Sequence, residues 1–268
     1  MRSFRTAVVV VAFFAAGAAS AAELNCHGPS NVEDFHYSWR MRGGLAWIAG
    51  LVFPTSGKGE LRTVFPAEGQ AQPSISSELL ITAADPKVGF YVYQSQMDAA
   101  GARTLVTYHG YAWRNKSRKE RTVFDYLKRI AHIHKETPDK QWDKTEPLPS
   151  DELRDILTAI FYLRQNATTI HAPIVTRIYS DGKWYPVVFR PIDRRTFTID
   201  DKKVNALGFE IVDAPGGGKH KWPGGVRVWV SEDDRRIPFR IEINESMASL
   251  QLDLQSVESC AFMQAAKE

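Results

Sequence analysis

The chain has 268 residues, a formal charge of +3 and only two cysteines. So small a positive excess excludes a nucleic-acid-binding role, which calls for a dense basic face. The length suffices for one large core or two small ones.

The chain opens with Arg2 and Arg5, then an apolar run from Ala7 to Ala16, then small residues up to Ala22. The run is too short to span a bilayer, and the pattern is that of a secretory signal peptide over residues 1–22. Its removal takes two arginines and no acid, so the charge of the remaining 23–268 falls from +3 to +1. Cys26 follows the cleavage point, but Glu23-Leu24-Asn25 does not make a lipobox. A periplasmic or secreted location favours a disulfide between Cys26 and Cys260. It would close a loop of over 230 residues, for which chain entropy sets an upper bound of ~5 kcal/mol. The alternative is two free thiols on frayed termini. No second apolar run is long enough for a helical span.

Beyond the leader, period-two alternation dominates. Phe35, Tyr37, Trp39 and Met41 alternate with His36, Ser38, Arg40 and Arg42, the mark of a half-buried strand. Further strands are expected at Leu79–Ala83, Val88–Gln94, Thr104–Trp113, Thr122–Tyr126 and Ile130–His134. Thr137 to Pro149 reads as a loop. From Leu153 the period changes: Leu153, Ile156, Leu157, Ile160 and Phe161 form one helical stripe. Ser150 suits the N-cap, Asp151 and Glu152 suit the first turn, and the helix should end near Asn166. A hairpin over Ile174–Tyr179 and Trp184–Phe189 turns at Asp181-Gly182. Strands follow at Thr196–Ile199 and Phe209–Val212. A second hairpin turns at Glu232-Asp233-Asp234-Arg235, and a last strand carries Leu250, Leu252 and Leu254. The architecture expected is a single mainly β domain: one antiparallel sheet strongly curved into an open barrel, with one principal helix, about Ser150 to Asn166, on its concave side.

Candidate sites are sparse. His132 and His134 share a strand face and could bind a metal with a third ligand from His109, His36 or His171. A solvated face is the favoured reading, since Lys128, Arg129 and Lys135 surround them. Gly216-Gly217-Gly218-Lys219 lacks the spacing of a phosphate loop. The three acids of the second hairpin turn are accounted for by turn chemistry. Neither Gly-x-Ser-x-Gly nor His-Glu-x-x-His occurs, and no cofactor is implied. Paired acids such as Asp125 and Asp155 would suit glycan hydrolysis if the fold joined them. Aromatic residues crowd the first half, and Trp39, Trp47, Phe90, Tyr91, Tyr93 and Trp113 are candidates to line a cavity for an amphiphile.

The block Gly225–Glu242, with Arg121-Thr122-Val123-Phe124-Asp125 and Asp155–Arg164, resembles the domain-of-unknown-function family 3108. The likeness runs over about 32–257, departing at Glu245–Ser249 and in the apolar stretch Leu45–Phe53. The resemblance implies an exported bacterial envelope protein with a fold similar to the open barrels of lipoprotein carriers, and it carries over no catalytic residue. Its motifs single out Asp155, Arg164, Ser231, Asp234 and Arg236, as ligand contacts or as residues holding the helix and hairpin in register. The expected partner is a lipid or other amphiphile held in the barrel. The alternatives are an envelope protein, in an assembly role, and a glycan substrate.

Overall fold

The computed structural model describes residues 31–43, 54–67, 69, 72–85, 89–113, 116–167, 173–180, 182–216, 220–244 and 249–259. The leader, Cys26, Trp47, the Leu45–Phe53 stretch, His171, Asp181, Gly217 to Lys219 and Cys260 lie outside the described residues.

Fourteen strands form one antiparallel sheet. In chain order they are β1 (Val32–Arg42), β2 (Ser56–Val64), β3 (Ser74–Ala83), β4 (Gly89–Asp98), β5 (Thr104–Trp113), β6 (Lys116–Asp125), β7 (Ile130–Thr137) and β8 (Lys140–Pro147). The helix α1 (Ile156–Asn166) follows. Then come β9 (Ile174–Ser180), β10 (Lys183–Ile199), β11 (Lys202–Asp213), β12 (Gly225–Ser231), β13 (Pro238–Asn244) and β14 (Ser249–Ser259). Spatially the sheet runs from β8 back to β1, across to β14, and back to β9. The first and last strands therefore pair at its centre, and the chain between β8 and β9 must travel from one edge to the other. That connection carries α1. No helix among the described residues is long and apolar enough to cross a membrane.

The two edges do not pair, so the barrel is open. The stretch before α1 ties the edge strand β9 to the start of β5. Thr104 N donates to Leu153 O at 2.9 Å, Arg154 N to Arg177 O at 3.1 Å, and Tyr179 N to Arg154 O at 2.7 Å. Across the same gap Tyr179 of β9 meets Phe124 of β6 edge-on, with ring centroids 5.1 Å apart.

The bridge corrects the expected start of the helix. The backbone at 153 and 154 is committed to strand partners, so the helix begins at Ile156 with Asp155 as its cap. Ser150 instead holds the approaching chain, accepting from Glu152 N at 3.1 Å. Two strands were absent from the sequence reading. β2, SGKGELRTV, has too few apolar residues to show alternation. β8, KQWDKTEP, occupies part of the expected loop Thr137–Pro149 and is a polar edge strand, mostly exposed on both faces. The segments expected at 184–189 and 196–199 are one long strand, β10, whose pairing with β11 shifts between Pro191 and Arg194. The hairpin turn is found at the expected place: Ser180 pairs with Lys183, and Gly182 has φ 74°.

The core lies between α1 and the half of the sheet running from β1 through β14 to β10. Paired residues follow one another across it: Phe209, Val228, Ile241, Leu252 and Trp39 form one continuous apolar row, and Phe189, Ile211, Val226, Ile243 and Leu250 a second. Trp39 closes the first row by lying over Gly57, where a Cβ would fall 2.6 Å from the indole nitrogen. Its N–H donates to Thr82 O at 2.8 Å. Onto these rows α1 lays Leu157, Ile160 and Leu163.

Candidate functional site: the inner face of strands β4 to β8

Two things meet the inner face of the first half of the sheet. At one end α1 covers it; at the other, rings and charges line it.

Beneath α1 runs a polar row. Glu33, Thr63, Ser77, Ser95, Thr107 and Thr122 pair successively across β1 to β6. Their short side chains let the helix come close enough to bond. Ser95 and Thr158 hydroxyls are 2.8 Å apart, and Thr104 donates to Thr158 at 2.7 Å. Asp155, buried at the helix N-terminus, accepts from Thr158 N at 2.8 Å. Burial pushes its carboxyl above the usual range, against the hydrogen bonds from Thr158, Thr107 and Ser95. At the other end of α1, Arg164 grips Glu33 with two nitrogens, at 2.7 and 2.8 Å. Both side chains are almost fully buried. Arg164 also donates to Arg236 O at 2.9 Å and Arg235 O at 3.0 Å, so one guanidinium ties β1, α1 and the β12–β13 turn together.

The remaining motif residues lie at that turn. Ser231 Oγ donates to Asp233 at 2.6 Å and accepts from Ile237 N at 2.8 Å. Arg236 donates to Glu232 O at 2.8 Å. Asp234 is exposed at the tip. Four of the five motif positions thus make bonds that hold the helix and this turn in place. Glu33, the partner of Arg164, carried no signal in the sequence, being 131 positions away. The hydroxyl row had one: Thr and Ser at inward positions of successive strands.

Farther from the helix the inner face changes character. Tyr93, His109, Glu120, Lys135 and Trp142 pair successively across β4 to β8, and Tyr91, Tyr111 and Arg118 form a parallel row. Tyr93 and His109 stack with centroids 5.0 Å apart and planes 5° from parallel. Tyr91 and Tyr111 lie 5.7 Å apart. Glu120, nearly buried, accepts from Arg118 at 2.8 Å and pairs with Lys135 at 2.7 Å. Burial pushes the phenols of Tyr91 and Tyr93 upward, so both remain neutral donors. The face offers flat rings, with two cations around one carboxylate.

The predicted cavity residues separate here. Tyr91, Tyr93 and Trp113 share the inner face, Trp113 standing opposite Gly89. Trp39 is part of the packed core. Phe90, between Gly89 and Tyr91 in a strand, points to the outer face and is 41% exposed.

Among the described residues the candidate histidines do not converge. His132 and His134 lie on the outer face of β7, where His134 pairs with Asp143 at 2.8 Å and His132 approaches Thr145 at 3.4 Å. His109 is on the inner face, and His36 is on β1, six strands away in the sheet order. Asp125 and Asp155 do not converge either: Asp125 caps the following turn through Lys128 N at 2.9 Å, while Asp155 is under the helix. Among the described residues the group that brings three metal-compatible ligands together is Asp34, His36 and Glu258, on the outer face.

Comparison with known proteins agrees with this architecture. No curated protein matches the chain. A similar solved structure is the crystal structure of a beta-barrel-like protein of the domain of unknown function DUF1849 from Brucella abortus. It superimposes with a TM-score of 0.50 over 85% of this chain and 98% of that one, at 9% identity, a likeness of fold alone. The model of the family described as protein of unknown function (DUF3108) matches residues 67–255, most of the sheet and all of α1, and the chain belongs to that family.

Proposed function

We propose that the protein is an exported, non-catalytic binding protein of the bacterial envelope, which holds an amphiphile against the inner face of β4 to β8. One observation carries the reading: rings and charges line this inward face, where β10 to β14 place apolar core rows. Tyr91 is 39% exposed there, and its neighbours are only partly covered. Rings accept acyl or ring-bearing groups by contact, and Arg118 and Lys135 suit an anionic headgroup. Export rests on the leader, and the envelope on the family resemblance.

An assembly role is the competing reading, and the sheet edges bear on it. β8 presents Lys140, Asp143, Lys144 and Glu146 along an exposed edge, a composition that opposes strand addition by a partner.

Native mass spectrometry of the mature protein, purified from an expressing periplasm and then extracted with organic solvent, tests the proposal. A stoichiometric extra mass that extracts as lipid is expected. A clean apo mass, unchanged after incubation with envelope lipids, would overturn it in favour of assembly.

A further inference from the structure

We propose that Asp34, His36 and Glu258 form a divalent transition-metal site that staples the first strand of the domain to the last. Alternation along β1 puts Asp34 and His36, two residues apart, on the outer face, opposite the core side chains Phe35 and Tyr37. Glu258 arrives through an irregularity in β14. Asp34 pairs with Ser259 and Phe35 with Val257, so Glu258 is an extra residue between two paired positions. A bulge of this kind re-aims the side chain it carries, and here it aims a carboxylate at the histidine of the neighbouring strand.

The spacing fits a shared ion. His36 Nε2 lies 3.1 Å from Glu258 Oε1 and 3.7 Å from Asp34 Oδ1, and the three ligand atoms all lie within 4.8 Å of one another. Ligands about 2.0–2.2 Å from one metal stand about 3.0–3.5 Å apart in tetrahedral or octahedral arrangement. His36 Nε2 and Asp34 Oδ1 are both shielded from solvent. His36 Nε2 has Glu258 Oε1 as its ion-pair partner, whereas Asp34 Oδ1 accepts no hydrogen bond from the protein. A shielded carboxylate oxygen without a donor is costly unless something takes up its lone pair.

Charge points the same way. On β2, Glu60 pairs with His36 and Arg62 with Asp34. Three carboxylates, Asp34, Glu60 and Glu258, stand with one guanidinium and the imidazole of His36, an excess of carboxylate in this patch. A divalent ion would balance the group. One imidazole with carboxylates suits Zn2+ or Mn2+ better than Ca2+ or Mg2+, which take oxygen throughout.

Equilibrium dialysis of the chelator-stripped mature protein against ZnCl2 and MnCl2 tests the site, with His36→Ala, Glu258→Gln and the double variant alongside. Glu258 is well exposed and His36 partly so, and circular dichroism confirms that each variant keeps its sheet. One equivalent of Zn2+ or Mn2+ on the parent protein is expected, at least tenfold weaker in each single variant and absent from the double. No bound ion on the parent would overturn the proposal. So would undiminished stoichiometry in the double variant, which would place the ion elsewhere, for instance on His132, His134 and Asp143.

Discussion

The two halves of the sheet share a strand geometry and differ in what they turn inward. Along the paired rows of β10 to β14 the inner face is aliphatic and aromatic, and residues of α1 join the same buried cluster. From β4 to β8 the inward positions beyond the helix read Tyr, His, Glu, Lys and Trp. A sheet needs only one packed layer to be stable, and the second half supplies it. The first half still gives core residues such as Leu79, Ile81, Phe124 and Ile133, but these ringed and charged positions are not part of that core, and they can serve a ligand. The polar row under α1 and the Glu33–Arg164 pair mark the border between the halves.

The largest expected effect comes from breaking that border. Arg164→Met leaves Glu33 as a buried, unpaired carboxylate and frees the β12–β13 turn from the helix. Losing one partner of such a pair costs about 3–5 kcal/mol. Urea denaturation followed by tryptophan fluorescence should show that loss, and Glu33→Gln with Arg164→Met should recover part of it, since no lone charge then remains. Equal stability of the single variant and the parent would mean the pair does not anchor the helix.

Within the packed half, Phe209→Ala removes a ring that is 0% exposed from the middle of an apolar row. A loss of about 3–5 kcal/mol is expected in the same measurement. An effect below about 1 kcal/mol would place the core elsewhere.

How much of this was readable in advance follows from which signals are local. The strands with strict alternation, such as that carrying Phe35, Tyr37 and Trp39, declare themselves because one face is buried and the other is not. β2 and β8 do not, being polar, and pairing alone makes them strands. The helical stripe was plain, but its start was set by Arg154 bonding to β9, a partner 23 residues farther on. Site residues fared similarly. Tyr91 and Tyr93 were identified as a pair, whereas grouping Phe90 with them ignored the alternation of their strand. Lys135, Glu120 and Trp142 join them only through register across five strands, which no single segment encodes. Bulges such as that at Glu258 leave no trace in composition.

A smaller effect is expected at Asp155. Replacing it with Ala removes the cap of α1, worth about 1 kcal/mol. Asn keeps an acceptor for Thr158 N and removes the titration. Since burial raises the folded-state pKa of Asp155, protonation favours the folded state. Its contribution to stability is full below the ordinary aspartate range, about pH 3.9, and declines as pH rises through the raised value. The parent should therefore lose stability relative to Asp155→Asn as pH climbs from below 4 towards neutrality. Parallel stability curves for the two proteins would show that the carboxyl titrates alike in the folded and unfolded states.

Smallest in stability, and most telling about function, is Tyr111→Ala on the ringed half. Tyr111 is partly exposed and its main ring contact is Tyr91. Its removal should shift the unfolding midpoint by less than about 1 kcal/mol, well under the change at Phe209. If the inner face of β4 to β8 holds an amphiphile, the same substitution should weaken binding of a fluorescent fatty acid several-fold, because the ring supplies contact area to the ligand rather than to the core. Equal affinity in Tyr111→Ala and the parent would dissociate binding from this face. A stability loss as large as that of Phe209→Ala would erase the distinction between the halves, since it would make Tyr111 a core residue.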